Sequence, residues 1–324
     1  MDDQQDFVDE DGFGFDEDEA IMGNTQALSL SWAFGFSKDV KRAVIDLSND
    51  ARRATFYLSA HTGVIYDYTG MQREQHHLQG HCNPITTCCH DMERRYIVTG
   101  DAGPADTLVV VWDSALATPI ASIFDPHPYG VAGMDMSPDA QFIVTLSAPP
   151  PASSPEAATW VQEIAIWEWH ADSETPRYKA SVNLPTGSTD SLTCVRFNPT
   201  DVRQLITHST DRVVFWQWHT AADGRAGSLT SFSPPVNSRD FGHSLGAFTD
   251  VTFLPPQKEF TAAANAVDES YDASVGAVAL SAVASTRDGD LLLWEAKLGG
   301  DSAMPQIASW RATKLLNICR GSVM

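Results

Sequence analysis

The chain has 324 residues, of which 43% are hydrophobic and 19% charged, and its formal net charge is −21. This composition is typical of a folded chain long enough to bury a large core. So acidic a surface repels phosphate backbones and no local Lys/Arg cluster offsets it, so we expect no nucleic-acid partner. No apolar run approaches the roughly 20 residues that span a bilayer, so we expect no membrane partner either.

The amino-terminal segment differs from the rest of the chain. Its first 20 residues carry ten acidic side chains and no basic one. Such a segment buries too little apolar surface to offset the entropy of ordering, so the sequence predicts a disordered acidic tail over residues 1–27. Phe7, Phe13 and Phe15 are spaced among the acids. They indicate either a motif that docks on a basic partner or a merely solvated tail.

The stretch from His77 to Asp113 has the pattern of a structural repeat. It contains a Gly80-His81 pair, ends with Trp112-Asp113, and holds two apolar β-type runs between them. A Gly-His entry and a Trp-Asp exit are typical of a four-stranded WD40 blade. The sequence therefore predicts an all-β, WD40-type β-propeller, for which binding is a more natural function than catalysis.

The exit position recurs along the chain at Tyr66, Trp112, Trp167, Trp216 and Trp294, with spacings of 46, 55, 49 and 78 residues. The excesses over about 40–45 residues per blade fall at insertions 148–159 and 255–275. The predicted blades cover about 28–75, 76–121, 122–183, 184–240 and 241–296, and residues 297–324 supply an outer strand and the start of a further blade. We therefore expect an incomplete part of a longer propeller protein, with about five blades present plus the start of a sixth.

A hydrogen-bond network is expected inside each blade, because an unpaired buried indole N–H costs on the order of 1–3 kcal/mol. In WD blades a Ser or Thr, the entry His and an Asp before the Trp strand satisfy it. The predicted network residues are His81, Thr99, Asp106, Trp112 and Asp113 in blade two, Trp167 in blade three, Asp211 and Trp216 in blade four, and His243, Asp288 and Trp294 in blade five. Blade three lacks a clear His and Asp, so we expect it to rely on packing alone.

Seven His and Cys residues between positions 76 and 90 raise the question of zinc: His76, His77, His81, Cys82, Cys88, Cys89 and His90. Structural zinc needs four converging ligands, usually from paired spacings. Cys88 and Cys89 are neighbours on a predicted strand and should face opposite sides. We therefore predict that the cysteines are buried small hydrophobes and that the chain has no metal site.

Motifs of enzymes are missing from the sequence. There is no GxSxG, Walker loop, HExxH or strand-linked GxGxxG. The five cysteines are odd in number and lack scaffold spacing, which indicates reduced thiols of an intracellular protein. We predict no catalytic residues and no cofactor, and the protein is not expected to be an enzyme.

Several segments resemble the cilia- and flagella-associated protein 251 family, WD-repeat proteins of the axoneme. They are FYLSAHTGVIYDYTG (56–70), HHLQGHCNPITTC (76–88), GDAGPADTLVVVWDS (100–114) and ATPIASIFDPHP (117–128). The similarity extends over about residues 28–296. HCNPI followed by GPADTLVVVWD is far more specific than a bare Trp-Asp pair.

The resemblance implies a non-enzymatic scaffold in motile cilia and flagella. It implies protein partners at the radial spoke base, in the calmodulin- and spoke-associated complex, with calmodulin as an indirect partner, and a link to dynein regulation. The alternative is a WD40 peptide-binding module of another intracellular complex, for example one that binds basic histone tails. There the acidic tail would assist electrostatically.

Overall fold

The computed structural model describes residues 30–171, 174–182, 190–220, 226–236, 241, 243–254, 281–299 and 306–317. The chain divides into two compact units, Met1–Ala33 and Phe34–Met324, and the second holds every strand described below. The predicted acidic tail lies outside the described residues, and so do Phe7, Phe13 and Phe15.

The described residues form twenty β-strands and one short 3-10 turn, Pro155–Ala158. No helix in this part is long and apolar enough to cross a membrane. The strands are β1 (Val44–Asp46), β2 (Ala54–Ser59), β3 (Thr62–Asp67), β4 (Glu74–Leu78), β5 (Ile85–His90), β6 (Tyr96–Asp101), β7 (Leu108–Asp113), β8 (Thr118–Phe124), β9 (Val131–Met136), β10 (Phe142–Ser147), β11 (Glu163–Glu168), β12 (Tyr178–Ser181), β13 (Cys194–Phe197), β14 (Gln204–His208), β15 (Val213–Thr220), β16 (Ala226–Phe232), β17 (Phe248–Leu254), β18 (Ser281–Thr286), β19 (Asp290–Gly299) and β20 (Gln306–Asn317).

The strands form five sheets, and each sheet is an antiparallel meander of four consecutive strands. The first strands of successive sheets contact one another, β5 with β9, β9 with β13 and β13 with β17. Four-stranded meanders whose first strands lie side by side are the blades of a β-propeller. The predicted all-β fold with about five blades is therefore confirmed, and blades one to five are numbered in chain order.

The core lies in the seams between blades. The third strand of a blade is covered on both faces, so it carries a continuous apolar run, as in β7 and β11, whose four central residues are all buried. Phe56 and Ile65 of blade one pack in one cluster with Ile97 and Trp112 of blade two. Each seam is thus a sheet-on-sheet contact, and it buries apolar faces that neither blade could bury alone.

Gly130 shows how closely the blades approach. It joins blades two and three through a backbone bridge to Ala102, and its φ is +81°. A Cβ at this position would lie 2.3 Å from the carbonyl oxygen of Asp101. Only glycine therefore fits here without a backbone shift.

Three of the expected blade limits fall inside strands. The limit at 75/76 falls within β4, that at 121/122 within β8, and that at 296/297 within β19. The Gly80-His81 pair lies between β4 and β5, and the Trp112-Asp113 pair ends β7, so neither pair marks where an outer strand ends. β20 pairs with β19 as the outer strand of blade five. The start of a further blade would fall in 318–324, outside the described residues, as does the insertion at 255–275.

Candidate functional site

Blade two contains a relay of four buried side chains. The Trp112 indole N–H donates to Thr99 Oγ1 (2.8 Å), which lies 2.7 Å from His81 Nε2, and His81 Nδ1 lies 2.8 Å from Asp101 Oδ2. The carboxylate can only accept, so Nδ1 carries the proton and Nε2 accepts the Thr99 hydroxyl proton. Every polar group in the relay is thereby paired, and His81 and Asp101 have fully buried side chains.

The prediction that Asp106 is the acidic member of this relay was wrong. Asp106 is exposed in the β6–β7 turn, where its φ is +52°. Asp101, two residues after Thr99 on β6, takes the position, and its Oδ1 also accepts the N–H of Leu108 at 2.8 Å. The Asp106 side chain is exposed in this turn, so the carboxylate that His81 bonds comes from the end of the second strand.

Asp113, the acidic half of the Trp-Asp pair, stands apart from the relay. Its Oδ1 accepts the backbone N–H groups of Ala115 and Leu116, each at 2.8 Å. A carboxylate that bonds the backbone two and three residues onward holds a tight turn. Asp113 therefore fixes the β7–β8 connection, while Trp112 faces inward.

Blade three also has a relay, so the expectation that it relies on packing alone was wrong. The Trp167 indole N–H donates to Thr145 Oγ1 (3.0 Å), and His127 Nε2 lies 2.8 Å from the same oxygen. Ser147 replaces the aspartate, and its Oγ accepts the N–H of Glu163 at 2.9 Å. His127 precedes Thr145 by 18 residues, as His81 precedes Thr99. The shared spacing of 18 residues could have identified His127 from the sequence. The Gly-His pair is absent there because Pro126 precedes the histidine.

His127 has a distinct electrostatic state. Its Nδ1 is buried and lies 3.7 Å from Glu163 Oε2, beyond hydrogen-bond distance. Burial lowers the pKa of His127 to about 4, although Glu163 opposes that shift. The imidazole is therefore neutral at physiological pH.

In blade four the Trp216 indole N–H donates to Thr207 Oγ1 at 2.9 Å. The predicted acid, Asp211, is exposed, and its backbone N–H donates to Ser209 Oγ at 3.3 Å. The carboxylate that bonds the Ser209 hydroxyl belongs instead to Asp190. The prediction was wrong because Asp190 comes from the segment that enters the blade, where no sequence motif marks it.

Blade five has only part of the relay. His243 Nε2 lies 3.1 Å from the buried Asp290 Oδ2, so Asp290 takes the role predicted for Asp288. Thr286 Oγ1 accepts the Asp290 N–H at 3.1 Å. The buried Trp294 indole N–H has no hydrogen-bond partner among the described residues. Asp288 instead lies against Gly246, where an added Cβ would come within 2.7 Å of its Cγ.

The adjacent cysteines of β5 point into different seams. Cys88 packs with the cluster between blades one and two, and Cys89 with a second cluster that includes Val131 of blade three. Burial raises the pKa of the Cys88 thiol to about 12 and that of Cys89 well above its usual range. Both thiols therefore stay protonated and pack as small apolar groups, as predicted. Cys82 is exposed, so the prediction of a buried cysteine was wrong there.

A second group of side chains was missed by the sequence reasoning. Cys194 on β13, His208 on β14 and Asp250 on β17 each offer one ligand atom, and these atoms lie within 4.8 Å of one another. Burial raises the pKa of the Cys194 thiol to about 12 and lowers the pKa of His208. Strand register pairs Cys194 with His208, and Asp250 belongs to the next blade, so no motif spacing in the sequence predicts the cluster.

Four-stranded meanders with buried Trp–Thr–His relays define a WD40-type propeller protein. Residues 28–270 match the family described as the CFAP251 N-terminal domain. Among curated proteins, cilia- and flagella-associated protein 251 of Chlamydomonas reinhardtii is 33% identical over 302 residues, which cover 90% of this chain and 32% of the relative. The Tetrahymena thermophila protein of the same name is 32% identical over 286 residues, 87% of this chain and 24% of the relative.

A more distant relative is echinoderm microtubule-associated protein-like 4 of Mus musculus, which is 25% identical over 202 residues, 60% of this chain and 18% of the relative. The chain belongs to the cilia- and flagella-associated protein 251 family. It is therefore a protein associated with cilia and flagella. The chain spans 32% of the length of the Chlamydomonas relative and 24% of the Tetrahymena relative.

Proposed function

We propose that this chain is a non-enzymatic scaffold of the motile-cilium axoneme. It holds subunits of the calmodulin- and spoke-associated complex together at the radial spoke base, and so supports regulation of dynein-driven motility. The observation that carries the proposal is the family match over residues 28–270, which covers the first four blades and enters the fifth. The proposal applies to the part of the family proteins that this chain matches.

A scaffold must keep its binding faces in fixed relation, and the seam between blades three and four has the contacts for this. Gln162 is fully buried, and its Nε2–H donates to the carbonyl of Leu192 at 2.9 Å. Its Oε1 accepts the Leu192 N–H at 2.7 Å. One side chain thus makes both bonds of a strand pair across the seam, which supports a rigid arrangement of these two blades.

Two other seams are held by other contacts. Arg52 of blade one bonds Asp67 Oδ2 through Nε (2.9 Å) and the Ser114 carbonyl of blade two through Nη1 (2.8 Å). Between blades four and five, the rings of Phe215 and Trp310 stack with centroids 4.0 Å apart and planes 7° apart. Three chemically different seams therefore support the same rigid role.

The outer surface offers places for protein partners. Strand β8 is the outer strand of blade two and exposes Ile120 and Phe124. An outer strand also presents unpaired backbone groups to an incoming chain. With a net charge of −21, complementary partner surfaces are basic, and their association weakens as salt rises.

The test is co-purification with isolated axonemes from ciliated cells that express the tagged full chain. Radial-spoke subunits are expected to cross-link to the wild type. Gln162→Ala, which loosens a seam, should recover fewer of them, while the matched change Gln141→Ala at an exposed position should not. Circular dichroism establishes that both variants fold.

Two outcomes count against the spoke scaffold. If the wild type binds axonemes without any radial-spoke subunit, the proposed position in the complex is wrong. If the chain accumulates in the nucleus and recovers basic histone tails, the alternative of a WD40 peptide-binding module is favoured.

A further inference from the structure

Three side chains that the relays do not use converge where blades four and five meet. Cys194 and His208 are opposite one another in the β13–β14 ladder, and Asp250 belongs to β17, the first strand of the next blade. The Sγ, imidazole nitrogen and carboxylate oxygen lie within 4.8 Å of one another. This is a sulfur, nitrogen and oxygen donor set assembled by the fold from two blades.

The state of His208 points to a ligand. Its Nδ1 lies 2.9 Å from the Ser209 carbonyl oxygen, which can only accept, so Nδ1 carries the proton. Nε2 therefore presents a lone pair. This nitrogen is buried and has no hydrogen-bond partner among the described residues, and His208 is 1% exposed. A backbone carbonyl on one ring nitrogen and a free lone pair on the other is the arrangement of metal-binding histidines.

The separation between the cysteine and the carboxylate also suits a metal ion. Cys194 Sγ lies 3.8 Å from Asp250 Oδ1. Around a tetrahedral zinc ion, bond lengths of about 2.3 Å to sulfur and about 2.1 Å to oxygen place these atoms about 3.6 Å apart. The cysteine and the carboxylate are therefore close to the separation of two zinc ligands, and the imidazole nitrogen, within 4.8 Å of both, closes on the ion by a side-chain shift.

Asp250 is oriented by further contacts. Arg196 Nη2 lies 2.7 Å from both carboxylate oxygens, and the Val251 N–H donates to Oδ1 at 2.9 Å. Oδ1 accepts two of these bonds and Oδ2 accepts one, so a lone pair on Oδ2 is left for a metal. Hydrogen bonds of this kind hold ligating carboxylates in place.

We propose that Cys194, His208 and Asp250 form a three-ligand site for a divalent transition-metal ion of the zinc class. Thiolate and imidazole favour zinc over magnesium or calcium, which prefer oxygen ligands. The side chain of Asp250 is 52% exposed, so water can reach the ion beside this ligand and complete its coordination. Cys194 binds as the thiolate and its proton leaves to solvent, which keeps the charge balanced. The ion joins blade four to blade five.

The test uses the purified full chain and Co²⁺ as a spectroscopic probe. One equivalent of Co²⁺ should produce a thiolate-to-cobalt charge-transfer band, and Zn²⁺ should displace it. Cys194→Ser should abolish the band. The matched variant Cys82→Ser removes an exposed thiol and should leave the band unchanged.

Asp250→Asn provides a variant at a half-exposed position that does not threaten the core, and it should weaken Co²⁺ binding at least about tenfold. A bound ion must also stabilise the folded chain, so Zn²⁺ should raise the melting temperature of the wild type more than that of Asp250→Asn. The site is refuted if the wild type shows no charge-transfer band, if the band survives Cys194→Ser, or if saturating Zn²⁺ leaves the wild-type melting temperature unchanged.

Discussion

Removing the hydroxyl of Thr99 tests the relay of blade two most directly. Thr99 Oγ1 accepts the Trp112 indole N–H at 2.8 Å and bonds His81 Nε2 at 2.7 Å. Thr99→Val keeps the β-branched shape but leaves two buried polar groups unpaired. Each such group costs about 1–3 kcal/mol, so the free energy of unfolding should fall by about 2–6 kcal/mol.

The assay is urea unfolding followed by tryptophan fluorescence and circular dichroism, with Thr118→Val as the control. Thr118 is exposed on β8, so its substitution should change stability by less than about 0.5 kcal/mol. Adding Trp112→Phe to Thr99→Val removes the orphaned donor, so the double variant should lose less than the sum of the two single changes. The relay does not stabilise the blade if Thr99→Val unfolds within about 0.5 kcal/mol of the wild type.

Three further changes probe other positions. Asp101→Asn should lower the free energy of unfolding in urea by about 1–3 kcal/mol because it alters a buried acceptor. Asp106→Asn, at an exposed position, should leave it nearly unchanged, and equal effects of the two changes would contradict the assignment of Asp101 to the relay. Gly130→Ala should lower stability by about 1–3 kcal/mol because of its +81° φ and the nearby Asp101 carbonyl, and an unchanged melting temperature would contradict this. Because the pKa of His127 is about 4 when folded and about 6.5 when unfolded, the unfolded chain binds more protons between these values. Stability should therefore fall by about 3 kcal/mol as pH drops through this window. Unfolding measured at several pH values should show a smaller loss for His127→Gln, and identical pH curves would contradict the shift.

The blades were predictable because their physical cause lies in the sequence. A third strand covered on both faces must be apolar throughout, so β7 and β11 stand out as short runs that end in tryptophan. The Thr99 and His81 roles followed from the need of the Trp112 indole for a buried acceptor. These features depend on local pattern and on spacing along one blade.

The remaining site residues depend on geometry that spacing does not encode. Asp101 and Asp290 replaced the predicted Asp106 and Asp288 because the path of a turn decides which carboxylate reaches the histidine. The His127 relay lacked its usual glycine. The cluster at Cys194 depends on strand register and on which blade lies beside β13, and neither is local in sequence.

We expect the relays to set an order in which the blades open. In blade two the chain of bonds from Trp112 to Asp101 is complete, whereas the Trp294 N–H of blade five has no hydrogen-bond partner among the described residues. Repeat structures open locally, and the least stable unit opens first. Amide hydrogens of β18 and β19 should therefore exchange with solvent sooner than those of β6 and β7. Earlier exchange in β18 and β19 would identify blade five as the blade whose inner strands open before those of blade two, although its seam with blade four stays packed through Phe215 and Trp310.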